Sequence, residues 1–290
     1  MPMDVPSGNP WRDPFLVAAF SGWGDASNVA TTSAAFLLQK REVKRALEFD
    51  PDEYFVLTET RPWVRVGDDG ERRIQWPTLA IMSGLGEPRD AAVLLGPEPQ
   101  LRWRRFAGEV AAFWRARGQG GPVLLLGAFL ASVSHAAPVV LTGFATTRAL
   151  RTRLKELGIQ SSGYEGPTSC HSALADVLRA EGVPCVSVWA AVPHYVGAMP
   201  NPKACAALLR AVDALLGLGL DLRELDAAAR TFETQVSLAM TRSGQPLALA
   251  SGQEAEPKRA EPEPPDEPLP PTDELVRGVE EFLRRHRGEK

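Results

Sequence analysis

Five short apolar runs without strict alternation constrain this chain more than any other feature. They are residues 15–20 (FLVAAF), 91–95 (AAVLL), 123–129 (VLLLGAF), 139–145 (VVLTGFA) and 185–192 (CVSVWAAV). A strand with one wet face alternates apolar and polar residues. A run that is apolar at nearly every position suits a strand buried on both faces, as in a parallel sheet covered by helices. Helical stripes lie between the runs. Ala26, Val29, Ala30, Ser33 and Leu37 form one, and Phe106, Val110, Phe113 and Trp114 a second. Leu174, Val177 and Leu178 form a third, and Leu208, Leu209, Val212, Leu215 and Leu216 a fourth. All step by three and four, so each presents one apolar face. Strands alternating with helices predict an α/β fold: a three-layer αβα sandwich around a mostly parallel sheet.

One segment departs from that rhythm. Residues 62–66 and 72–76 flank Gly67-Asp68-Asp69-Gly70, a hairpin signal, and predict an antiparallel insertion. A longer stripe of Leu222, Leu225, Ala229, Phe232, Val236 and Ala239 or Met240 either closes the core or meets another subunit; packing at home is the favoured reading. Residues 251–271 hold seven prolines among several acids and read as a stiff, solvated linker. After it, Thr272 offers an N-cap, acids open a helix, arginines close it, and Leu275, Val279, Phe282 and Leu283 share one face. The expected division is an N-terminal arm at 1–13, an α/β domain at 14–243, a Pro/acid-rich linker at 244–271 and a C-terminal amphipathic helix at 272–290. That last helix should be a mobile arm with weak, reversible docking.

Charge narrows the function. The net charge is −4, and residues 251–290 carry all of it with 11 acids against 7 bases. The other 250 residues balance at 25 of each sign. No basic excess exists to neutralise a phosphate backbone, so nucleic acid is not expected as a partner. The stretch 119–147 lacks Asp, Glu, Lys and Arg, but glycines, prolines and His135 interrupt it, so it reads as two strands and a loop, not a membrane span. Three cysteines, none in C-x-x-C spacing, give neither a disulfide framework nor a zinc site. They fit a reducing cytoplasm, and the first 13 residues lack an apolar signal-peptide core.

Three constellations could carry chemistry. Ser21-Gly22-Trp23-Gly24-Asp25 follows the first strand and opens a helix. It matches neither a Walker A nor G-x-G-x-x-G, and an Asp25 cap would repel phosphate, so it reads as a structural turn. Gly166-Pro167-Thr168-Ser169-Cys170-His171 precedes another helix; Thr168 as N-cap would put Cys170 where thiol pKa values fall. Yet Cys170 and His171 are neighbours whose side chains diverge on a helix, so no catalytic residue is assigned. Pro193-His194-Tyr195 follows the last strong strand, and Asn201-Pro202 is a helix start. His135 also follows a strand. Open α/β sheets place ligands at the C-terminal ends of their strands. The expected crevice is therefore bordered by Gly22, Trp23, Gly24, Asp25, His135, Gly166, Thr168, His194 and Tyr195. No metal and no cofactor are expected, since the four histidines never adopt ligand spacing.

Taken together, these segments resemble the proteasome assembly chaperone 2 family in its bacterial, actinobacterial-like form. The supporting residues are Phe20-Ser21-Gly22-Trp23-Gly24-Asp25-Ala26, Leu95-Gly96-Pro97-Glu98-Pro99 ahead of a Trp103-containing helix, and Tyr164-Glu165-Gly166-Pro167-Thr168. The most distinctive are residues 187–196 (SVWAAVPHYV) and Pro200-Asn201-Pro202-Lys203-Ala204. The resemblance covers roughly residues 14–240. It implies a sandwich like that of the purine nucleoside phosphorylases, protein partners related to the proteasome, and a homo-oligomer, with a trimer preferred. Some archaeal relatives end in a hydrophobic-tyrosine-X motif that docks into the proteasome ring; this sequence ends Arg287-Gly288-Glu289-Lys290 and departs from it. The implied function is a chaperone-like scaffold. The alternative is a small-molecule hydrolase or nucleosidase on a phosphorylase-like scaffold.

Overall fold

The computed structural model describes residues 11–39 and 41–242. The expected linker at 244–271 and terminal helix at 272–290 lie outside the described residues, as does most of the arm at 1–13. In chain order the strands are β1 (Phe15–Ser21), β2 (Glu42–Phe49), β3 (Trp63–Val66), β4 (Arg72–Gln75) and β5 (Leu79–Leu85). They continue with β6 (Ala91–Pro97), β7 (Val123–Ala131), β8 (Leu141–Ala145), β9 (Gln160–Ser161) and β10 (Cys185–Pro193). The helices are α1 (Val29–Phe36), α2 (Pro51–Tyr54), α3 (Trp103–Arg117), α4 (Arg148–Glu156), α5 (Cys170–Ala180), α6 (Pro202–Leu216) and α7 (Arg223–Arg242).

Eight strands form one sheet in the order β2-β5-β6-β1-β7-β10-β8-β9. Its centre, β6-β1-β7-β10, is parallel throughout. β5 and β2 continue it antiparallel on one side, and β8 runs antiparallel to β10 on the other. β1 explains why the run 15–20 does not alternate. Phe15, Val17 and Ala19 enter one core while Leu16, Ala18 and Phe20 enter the other. Helices α1, α4, α6 and α7 cover the first face; α2, α3 and α5 cover the second. Fully burying a large apolar side chain stabilises the fold by roughly 1.5–3 kcal/mol, so β1 alone anchors both layers.

The hairpin forms where the sequence places it. β3 and β4 pair Trp63 with Gln75 and Val66 with Arg72, as a separate two-stranded sheet. The run 139–145 is shorter as a strand than expected and only half buried, because β8 lies near the sheet's edge. In α7, Phe232 and Val236 join the core, so the long stripe packs at home. Asn201 caps α6 as expected, its Oδ1 accepting the Ala204 N–H at 3.0 Å with Pro202 behind it. The cap of α5 is Ser169, not Thr168. Residues 161–168 are all exposed, and the chain enters the helix only after turning inward at Ser169. The outer strand β2 carries Glu42, Lys44, Arg45 and Glu48 toward solvent, and β9 at the opposite edge is two residues long. No helix among the described residues is long and apolar enough to cross a membrane.

Candidate functional site

Three of the segments singled out in the sequence converge around Trp189 at the C-terminal ends of the parallel strands. A side chain at Gly127 would collide with the Trp189 ring, and one at Gly24 would sit 2.9 Å from it. Both glycines are therefore space for an indole. The Trp189 N–H donates to Ser187 Oγ at 2.9 Å, and its ring lies 5.1 Å from that of His171. Asp25 closes the turn: its carboxylate accepts the Ala30 N–H at 2.7 Å and the Thr31 N–H at 3.2 Å, over left-handed Ser27 and Asn28. Burial pushes the Asp25 carboxyl above its ordinary range, with these hydrogen bonds opposing the rise. Ser27 Oγ then reaches the Val196 and Gly197 carbonyls, each at 3.2 Å, and ties this turn to the segment after β10.

His171 Nε2 donates to the Leu126 carbonyl at 2.9 Å, which leaves Nδ1 to accept from Ser169 Oγ at 3.2 Å. A serine hydrogen-bonded to an oriented imidazole has the form of a nucleophile and its base. Here both residues are buried, neither lines either of the two cavities described below, and burial lowers the His171 pKa to about 4. Burial likewise raises the Cys170 thiol, despite its place at a helix start. The dominant effect at Cys170 is desolvation, which disfavours the thiolate, and the α5 terminus is already satisfied. The Cys170 N–H donates to Glu98 Oε1 at 2.6 Å.

Of the expected border residues, Gly22 and Trp23 line one cavity and His135 another, while Gly24, Asp25, Gly166, Thr168, His194 and Tyr195 line neither. The larger, about 570 Å³ and open to solvent, is walled by residues 21–23, 59–61 and 97–100 together with Trp63 and Trp103. Gly22 and Trp23 belong to it. The smaller, about 10 Å³, has room for no more than a single water and is lined by His135, Asn201, Lys203 and Phe232 among others. Tyr195 belongs with His135: its hydroxyl accepts the His135 backbone N–H at 2.8 Å and is hydrogen-bonded to Nδ1 at 2.9 Å. His135 Nε2 is hydrogen-bonded to Ser237 Oγ at 2.8 Å. Lys203 Nζ donates to the carbonyls of His135 and Ala137 and pairs with Glu233. This network fastens the loop after β7 to α6 and α7. His194 is exposed, with its ring 5.4 Å from that of Tyr195, and Gly166 and Thr168 are exposed in the loop before α5. The described residues contain no cluster of three or more His, Cys, Asp or Glu that could hold a metal ion.

The model of the PAC2 family matches residues 19–240. The chain belongs to the PAC2 family. Among solved structures, a Mycobacterium tuberculosis proteasome-assembly chaperone homologue is 35% identical, with a TM-score of 0.71 over 78% of this chain and 95% of that one. A PAC2 family protein from Streptomyces avermitilis is also 35% identical, with a TM-score of 0.70 over the same shares. Pyrococcus furiosus PbaB, described as an archaeal proteasome activator, shares the fold at 17% identity and a TM-score of 0.61, over 81% of this chain and 96% of that one. No curated protein matched. Of the segments that carry the family resemblance, the turn at Gly24 helps to seat Trp189, Asn201-Pro202 starts α6, residues 22–23 and 97–99 help to wall the larger cavity, and residues 164–168 form the exposed loop before α5.

Sequence reasoning missed part of the larger cavity. Glu59, Thr60, Arg61 and Gln100 enter it through loops without a local motif, and Trp103 joins them from the start of α3. Glu98 had a signal: it lies one residue beyond β6, the position that drew attention to His194 after β10.

Proposed function

We propose that this PAC2 protein is a chaperone-like scaffold for protein partners, proteasome components among them, working in the cytoplasm as a homo-oligomer, a trimer for preference. The observation that carries the reading is the hairpin. Its large apolar residues are bare: Trp63 is 68% exposed, Val64 50%, Val66 66%, Ile74 58% and Trp76 47%, with Trp23 nearby in the same cavity wall at 66%. Val64, Val66 and Ile74 share one face of the hairpin and Trp63 stands on the other; uncovered large apolar side chains in such number are characteristic of protein-binding surfaces. The descriptions of the mycobacterial and archaeal relatives support a proteasome-related partner. Three free, buried cysteines fit a reducing compartment.

Two measurements test this. Light scattering at micromolar concentration should give a mass near a multiple of 31.4 kDa, and a monomer would refute the oligomer. Co-sedimentation with purified proteasome core particles should retain the wild-type protein and lose the Trp63→Ser/Trp76→Ser variant. Equal retention of both would remove the hairpin from the reading.

A further inference from the structure

The larger cavity differs chemically from the hairpin beside it. Three of its walls are indoles: Trp23, Trp63 and Trp103. The Trp103 N–H is taken up by the Pro99 carbonyl, so that ring offers the cavity no donor from its edge. Two carboxylates, Glu59 and Glu98, line it against one guanidinium, Arg61. Glu98 is half buried and, among the described residues, commits only Oε1, to the Cys170 N–H, with no hydrogen bond to Oε2. A desolvated carboxylate with an open oxygen is costly unless a cation or donor reaches it. Indole faces attract cations as well, and here one already does: the Arg65 guanidinium carbon lies 5.7 Å from the Trp63 ring centroid.

We infer that this cavity takes a basic side chain, lysine or arginine, presented by the protein partner, with the Trp23 and Trp63 rings along its stem and Glu98 Oε2 at its charged end. The volume of about 570 Å³ suits such a side chain with its flanking backbone. Arg61 selects against acidic segments, while Glu59 offsets its charge for a basic one. The inference rests on the reading that this face meets a protein partner, and it names what is recognised there.

The test uses the full chain carrying 5-fluorotryptophan, with the Trp23, Trp63 and Trp103 resonances assigned by single Trp→Phe variants. The probes are acetyl-Ala-Lys-Ala-amide, its arginine counterpart, and the norleucine counterpart, which keeps the aliphatic stem and removes the amine. The basic peptides should shift all three lining resonances, and norleucine should bind at least about fivefold more weakly, the worth of a cation on aromatic faces. Glu98→Gln retains an oxygen for the Cys170 N–H, so it should fold, and it should abolish the preference for lysine over norleucine. Equal binding of lysine and norleucine peptides would overturn the inference, as would absence of binding by all three, or a Glu98→Gln protein with preference intact. The partner reading is read separately through Trp76→Ser in co-sedimentation, because Trp76 lies outside the cavity wall; retention equal to wild type with intact peptide binding breaks the hairpin-partner reading and not the site.

Discussion

Trp114 and Trp63 are the same residue in opposite surroundings, and the contrast divides the molecule into a part that holds itself together and a part that is displayed. Trp114 is buried beneath the sheet, packs against Phe113 and Trp11 through its cluster, and donates its N–H to the Gly121 carbonyl at 2.9 Å. Trp63 stands on a hairpin whose strand residues are all exposed, with Arg65 over its ring. The layer beneath the sheet satisfies both halves of an indole, its area and its donor. The hairpin leaves the area open. A large aromatic is informative about function only where its own chain leaves it uncovered.

The comparison breaks first at Trp114. Trp114→Ala should destabilise the protein by about 3–5 kcal/mol, the range for deleting a buried indole, read by chemical denaturation; a loss under about 1 kcal/mol would mean the layer collapses around the gap. Acid probes the same layer more gently. His171 titrates near its ordinary 6.5 when unfolded and at about 4 when folded, chiefly because it is fully desolvated. The unfolded chain thus binds the proton first, and stability falls as pH drops from about 6.5 to about 4, by about 3 kcal/mol in full. Asp25 and Glu98, both raised by burial, act in the opposite sense, so the His171→Gln variant serves as the reference. If wild type and His171→Gln lose stability in parallel across that window, His171 is not the group responsible. The smallest effect belongs to the hairpin. Trp63→Ser/Trp76→Ser should change the unfolding free energy by no more than about 0.5 kcal/mol, as for surface substitutions, while altering assembly. A larger loss would show that these indoles are structural after all.

The two regions also differ in how far the sequence disclosed them. The parallel centre was legible because strands buried on both faces leave continuous apolar runs, and helices on one face leave stripes. β2 was not, since its outward residues are charged and a bulge between Arg45 and Leu47 interrupts its period. α4 buries only Leu154, too little to mark a stripe. The hairpin was legible from its glycines and aspartates. At the site, the turn at Gly22 to Asp25 and the start of α6 were visible because caps are local. The start of α5 was misread by one residue, because its first N–H is held by Glu98 from 72 positions away, and no local pattern encodes that. The Trp189 seat joins β10 to Gly24 and Gly127, again across the fold.

The sheet's two outer strands have a consequence for self-association. One margin, β2, is studded with charge, and the other, β9, offers two residues. Charged and very short margins resist recruitment of further strands. The eight-stranded sheet is therefore guarded at both margins against growth into open-ended fibrils by addition of further strands.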